Sequence, residues 1–205
     1  ILLPIFYLIF SGLITFNTFS FVNNIGLKFG LIDKPNNRKL HKSPIVRLGG
    51  TNIFLGIILT IALNYLVYNF VPPYLEPTEQ FNLIIFGSIF MFLIGLADDL
   101  KGLSPWSRLV GQTILASILW FKGLSIKELD FSIIGFNNLI INLNGFLSYG
   151  FTTIWLVGIT NAFNWIDGLD GLAIGITAIA SFCYLIIFFK ISNLLLIAFT
   201  AIIIG

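Results

Sequence analysis

The chain has 205 residues, of which 57% are hydrophobic and only 10% charged, and its mean hydropathy is +0.98. A soluble domain carries about 25% charged residues, so this composition excludes an ordinary water-soluble enzyme and points to an integral membrane protein. The one cysteine, Cys183, lies in an apolar stretch, which excludes an intrachain disulfide and argues against a metal–thiolate centre; the net charge of +2 says little about partners by itself.

A membrane-spanning helix needs about 20 mostly apolar residues. In chain order, spans are expected at roughly 1–22, 48–71, 81–97, 108–122, 149–160 continuing toward the polar residues that follow, and 172–190, with a last one from about 193. The fold class is therefore all-α: a polytopic transmembrane helical bundle of about seven spans, built as a single integral-membrane domain over 1–205. The fourth and fifth spans are short, which implies tilt or a locally thin bilayer. Between them, 123–148 is a polar connection whose Ile and Leu alternate between Asn residues, the pattern of a small surface hairpin. The chain opens in one apolar run, Ile1–Phe10, and stops in another, Leu194–Gly205, without an initiator Met, so it is expected to be part of a longer protein. The first segment is too long, and lacks the small-residue cleavage pattern, to be a removable signal peptide.

Counting single spans puts the connections 23–47, 98–107 and 161–171 on one side of the membrane, and 72–80, 123–148 and 191–192 on the other. The first set holds Lys28, Lys34, Arg38, Lys39, Lys42, Arg47 and Lys101 and is bordered by Arg108, together eight of the eleven basic residues. Basic residues mark the cytoplasmic side. The three connections are thus expected to be cytoplasmic loops, with the 123–148 hairpin periplasmic and the N-terminus outside. That asymmetry was no part of the span assignment, so the two support each other.

Those same connections carry the polar clusters of the chain. Carboxylates at the edge of a bilayer are costly and mark function. In the first cluster, basic residues including Lys42 and Arg47 gather before Gly49-Gly50, around the lone histidine His41. Lys and Arg at this depth attract phosphate, on a lipid headgroup or a nucleotide, although a basic loop also serves topology alone. The second cluster is Asp98-Asp99, followed by Lys101 and Arg108 across a tight Gly102–Pro105 loop. Two adjacent carboxylates repel each other unless a cation lies between them; the plainer reading is a solvated helix end. In the third cluster Asn161, Asn164, Asp167 and Asp170 recur every three residues. On a helix they share one face, and hard oxygen ligands in this arrangement suit Mg²⁺ with substrate phosphates. An Asx cap explains one of the four, not four in register.

At these residues the chain resembles the polyprenyl-phosphate N-acetylhexosamine-phosphate transferases of the MraY/WecA/TagO type, glycosyl transferase family 4. The matching stretches are Asp33-Lys34-Pro35-Asn36 with Arg38, His41 and Gly49-Gly50; Gly95–Asp99 with Leu103-Ser104-Pro105 and Arg108; and Asn161–Ala173. The Asp33-Lys-Pro-Asn form and the Leu-Ser-Pro loop look closer to the WecA/TagO branch than to MraY. The resemblance implies a multi-pass enzyme of the bacterial inner membrane with its active site facing the cytoplasm. It would transfer an N-acetylated sugar phosphate, N-acetylglucosamine phosphate by default, from a UDP-sugar to undecaprenyl phosphate, releasing UMP, as the first membrane step of a cell-envelope polysaccharide. Mg²⁺ (or Mn²⁺) would be required. Asp98 and Asp99 match the catalytic acidic pair, and Asp98, Asp99, Asp167 and Asp170 are the expected metal ligands. Substrate binding is expected of Asn161, Asn164, Asp167, Asp170, Lys42, Arg47, Arg108 and His41. The expected partners are the UDP-sugar, undecaprenyl phosphate and membrane lipid, with room for a homodimer and no nucleic acid. Where some relatives place a Lys three positions after the second Asp, this chain has Gly102. The family's later loops, with a further Asp and a His-rich motif, would lie beyond Gly205, so the chain alone is expected to be inactive. The alternative from another class is an ion-coupled membrane transporter, whose carboxylates would sit nearer the bilayer midplane.

Overall fold

A computed structural model describes residues 2–33, 45–67, 78–131, 139–166 and 171–205. They form seven α-helices and two short antiparallel ribbons, falling into two compact units, 1–77 with 167–205 and 78–166. Five helices are long and apolar enough to cross a membrane. Many large apolar side chains, such as Phe16, Leu93, Ile154 and Ile179, face outward, as lipid contact allows and water does not. The chain is a polytopic helical membrane protein, as its composition implied.

The first unit contains α1 (Leu2–Lys28), β1 (Ile32–Asp33), β2 (Ile45–Val46), α2 (Gly49–Val67), α6 (Leu172–Lys190) and α7 (Leu194–Ile204). In lipid, helices gain little from hiding apolar surface, so small residues and interhelical hydrogen bonds hold them together. Accordingly, the α1–α2 seam buries Ser11, Asn52, Thr60 and Asn64. Tyr7 donates to Asn64, Thr18 Oγ1 to Asn52 Oδ1 at 2.8 Å, and Asn52 Nδ2 to the Thr15 carbonyl at 2.9 Å. Gly26 on α1 has no Cβ and thereby admits the Val46 side chain of β2 against the helix. β1 and β2 pair with Ile32 opposite Val46 and Asp33 opposite Ile45. The helix α7 contributes the buried Ile197, Ala198, Thr200, Ala201 and Ile202.

The second unit is an α3–α4–α5 bundle with a hairpin: α3 (Glu79–Lys101), α4 (Pro105–Phe121), β3 (Glu128–Asp130), β4 (Ile140–Asn142) and α5 (Gly145–Ile166). The helix α4 is shorter than a span, yet its face Gln112, Leu115, Ala116 and Leu119 is buried. Glu128 pairs with Asn142 and Asp130 with Ile140, which is the hairpin expected within 123–148. Its entry strand is tied to α5, because the Ile126 N–H donates to Thr152 Oγ1 at 2.9 Å and Ser148 Oγ donates to the Ile126 carbonyl at 2.7 Å. From α4, Trp120 Nε1 donates to Ser148 Oγ at 3.1 Å.

Helix ends differ from the expected loop boundaries in three places. The connection expected at 23–47 begins later, since α1 continues to Lys28. The loop expected at 98–107 shrinks to Gly102–Ser104, because α3 carries Asp98 and Asp99 within its last turn. The loop expected at 161–171 is helical as far as Ile166. The cause is common to all three: falling hydropathy marks where a helix meets polar surroundings, whereas caps decide where it stops. The fifth span is also not short. It runs 22 residues from Gly145, its polar start being satisfied by the hairpin.

Candidate functional site

Local sequence builds a sharp corner between α3 and α4. Gly102 takes φ 66°, a left-handed conformation that other residues adopt at a cost, and its N–H closes onto the Asp98 carbonyl at 2.7 Å. Two residues later Ser104 caps α4, its hydroxyl accepting from the Ser107 N–H at 3.1 Å, and Pro105 occupies the first turn, where its missing N–H is harmless. This corner turns the chain back within three residues and sets Arg108 beside Asp98.

The geometry that results is an ion pair: Arg108 Nη1 lies 2.6 Å from Asp98 Oδ2, both side chains being 21% exposed. Arg108 Nε is buried with no partner among the described residues. Asp98 sits at the C-terminal end of α3, where the helix dipole is negative and carboxylates are disfavoured. A neighbouring cation offsets that cost, and Arg108 supplies one. Asp99 is exposed on the same last turn, as is Lys101 at the helix end.

One turn further along α4, Gln112 is 5% exposed. Its Oε1 accepts from Asn161 Nδ2 of α5 at 2.6 Å, and the same nitrogen donates to the Val157 carbonyl at 2.8 Å. Arg108 and Gln112 are four residues apart, hence on one face and about 6 Å apart along the axis. By this route α4 brings the second and third sequence clusters, Asp98 and Asn161, into one neighbourhood. Asn164, three residues on, is exposed near the end of α5.

The remaining expected site residues belong to the first unit or lie outside the described residues. Arg47 is exposed beside β2 in the first unit, its backbone N–H donating to the Leu31 carbonyl at 3.0 Å. His41, Lys42, Asp167 and Asp170 lie outside the described residues, so the shared helical face expected for the third cluster is seen only for Asn161 and Asn164. Gln112 was missed from sequence because it lies inside an apolar segment. The signal was present: one amide, a helical turn after Arg108, in a stretch with no other uncharged amide.

No three His, Cys, Asp or Glu side chains gather among the described residues. What the corner offers is oxygen alone, from the Asp98 and Asp99 carboxylates and the Asn161 and Asn164 amides. That donor set fits a hard divalent cation such as Mg²⁺ and not a thiophilic one.

Fold and corner together define a multi-pass helical membrane protein with acidic and amide side chains collected at one end of a helix bundle. The sequence model of glycosyl transferase family 4 matches residues 81–205, and the chain belongs to that family. It is 34% identical over 158 residues to a probable undecaprenyl-phosphate N-acetylglucosaminyl 1-phosphate transferase of Bacillus subtilis, covering 77% of this chain and 40% of the relative. It is 31% identical over 173 residues to a decaprenyl-phosphate N-acetylglucosaminephosphotransferase of Mycolicibacterium smegmatis, covering 83% and 42%. A phospho-N-acetylmuramoyl-pentapeptide-transferase of Lactobacillus gasseri is 37% identical over 121 residues, covering 55% and 37%. The chain spans about two fifths of the length of these curated relatives. No solved structure matches it.

Proposed function

We propose that the complete protein transfers N-acetylglucosamine phosphate from a UDP-sugar to undecaprenyl phosphate, at the cytoplasmic face of the bacterial inner membrane, as the first membrane step of a cell-envelope polysaccharide. A phosphate oxygen of the lipid attacks the phosphorus that bears the sugar, the bond from that phosphorus to the bridging oxygen breaks, and UMP leaves with the electron pair. Two anionic phosphates must meet for this, so the site has to gather positive charge and hold both groups in line. The reading is supported by the names of the relatives and carried by one observation: the Asp98–Arg108 pair and the Gln112–Asn161 pair adjoin on α4.

In this reading Asp98 and Asp99 hold or deprotonate the lipid phosphate, Arg108 balances the half-buried Asp98 carboxylate, and Asn161 and Asn164 bind the donor. His41, Lys42 and Arg47 screen phosphate charge. Mg²⁺ would be held by Asp98 and Asp99 with Asp167 and Asp170, supplying neutralisation of charge on the leaving diphosphate. The basic residues near 23–47 and 98–108 support a cytoplasmic site. The test is Mg²⁺-dependent release of UMP from UDP-N-acetylglucosamine by the full-length protein in membranes supplied with undecaprenyl phosphate. Release independent of the lipid, or uptake of a solute in place of transfer, would sink it.

A further inference from the structure

We propose that Gln112 is a positioning residue for donor recognition, and that it acts by fixing the orientation of the Asn161 amide. The inference rests on the transferase reading above and extends it to a side chain one helix removed from the acidic pair. An amide nitrogen has two hydrogens. In Asn161 both are committed inward, to Gln112 Oε1 at 2.6 Å and to the Val157 carbonyl at 2.8 Å. With Gln112 Oε1 facing it, turning the amide over would set its carbonyl oxygen against two other oxygens, and a concerted turn of Gln112 would relieve only one of the two clashes, so the observed orientation is the favoured one. Asn161 therefore presents Oδ1, an acceptor, away from α4, and offers no donor there.

Gln112 is suited to this task because it is itself buried. It is 5% exposed and belongs to the buried α4 face with Leu115, Ala116 and Leu119. Arg108 precedes it by one turn on the same face. The helix α4 thus acts as a ruler with two marks, one holding Asp98 of α3 and the other holding Asn161 of α5. An acceptor presented at a set height beside a carboxylate pair suits a neutral N–H or O–H of a nucleotide-sugar, such as a uracil imide, an acetamido group or a sugar hydroxyl. A lipid phosphate monoanion has one such proton at most, and the dianion has none.

An interhelical hydrogen bond in a membrane bundle also serves as plain glue, and the two roles separate experimentally. Purified full-length protein is titrated with UDP-N-acetylglucosamine in the presence of Mg²⁺ by calorimetry, and the transfer reaction gives KM values for both substrates. Gln112→Leu should weaken donor affinity and raise donor KM at least about tenfold, leaving the KM for undecaprenyl phosphate within about threefold of wild type. Gln112→Glu, which keeps an accepting oxygen, should restore most of the donor affinity. Combined with Asn161→Leu, the Gln112→Leu change should add no further loss, since its effect passes through Asn161. If Gln112→Leu fails to fold, Gln112→Met repeats the test with a more adaptable side chain. Unchanged donor affinity in the folded variant, or losses that multiply in the double variant, would overturn the proposal. So would a wild-type protein that binds no donor. A wild type that binds donor but transfers nothing refutes the transferase reading, while the affinities still decide the role of Gln112.

Discussion

The Asp98–Arg108 pair should be thermodynamically coupled, and the size of that coupling can be estimated. At the 2.6 Å separation of Arg108 Nη1 and Asp98 Oδ2, Coulomb attraction at an effective dielectric constant of about 20 is roughly 6 kcal/mol. Desolvating two side chains that are each 21% exposed takes back several kcal/mol. A fully exposed pair nets about 0–1 kcal/mol, and losing one partner of a buried pair costs about 3–5 kcal/mol. The intermediate burial here places the coupling at about 1–3 kcal/mol. A cycle of Arg108→Met, Asp98→Asn and the double variant isolates it, with stability read from reversible unfolding of the full-length protein in mixed micelles. The first change strands a carboxylate at the negative end of α3, so it should destabilise by about 2 kcal/mol. The double change should destabilise by clearly less than the sum of the two single changes. A coupling within about 0.5 kcal/mol of zero, the range of independent sites, would refute the pairing and the role given to Arg108.

Three further outcomes are expected. Asp99→Asn in the full-length protein should lower turnover at least about a hundredfold with unchanged membrane insertion; transfer of labelled sugar phosphate to lipid measures it, and near-normal turnover would remove Asp99 from the catalytic pair. Gly102→Val should destabilise the α3–α4 corner by about 1–2 kcal/mol, because the residue must hold φ 66°; an unchanged melting temperature would mean that the corner relaxes freely. Ser148→Ala leaves the Ile126 carbonyl and the Trp120 indole N–H without their partner, at about 1–3 kcal/mol for buried groups. Hydrogen exchange should then accelerate at the amides of 124–130, and unchanged protection would show that the hairpin is held by other contacts.

The architecture was legible in the sequence because lipid imposes one rule on every span: apolar side chains outward and backbone hydrogen bonds closed within the helix. The span expected at 172–190 coincides with α6, as both its ends are signalled. Gly171 opens it in the left-handed region and Lys190 closes it. Elsewhere the two signals separate. Asp98, Asp99 and Lys101 are polar and still helical, since a helix satisfies its own backbone whatever its side chains, and Gly102 makes the left-handed turn that ends it. Asn161 and Asn164 fell within the loop expected at 161–171, although their spacing already fitted one helical face, and they lie on α5. Of the site, residue types were legible and couplings were not. No sequence rule pairs Arg108 with Asp98 ten positions earlier, or Gln112 with Asn161 forty-nine later, because both depend on how three helices cross.

The location of the acidic pair carries an argument of its own. At this end of the bundle α3 and α5 present their C-termini and α4 its N-terminus, so two negative helix ends meet one positive end. The Asp98 and Asp99 carboxylates add negative charge where the backbone already supplies it, although stability alone would favour moving them to an N-terminus. Arg108 offsets one charge. Lys101, exposed on the same last turn as Asp99, brings the corner to two carboxylates and two cations, so its formal charge balances. Carboxylates kept at a negative helix end and balanced by Arg108 and Lys101 stand where stability alone would not put them, which marks this corner as the candidate site.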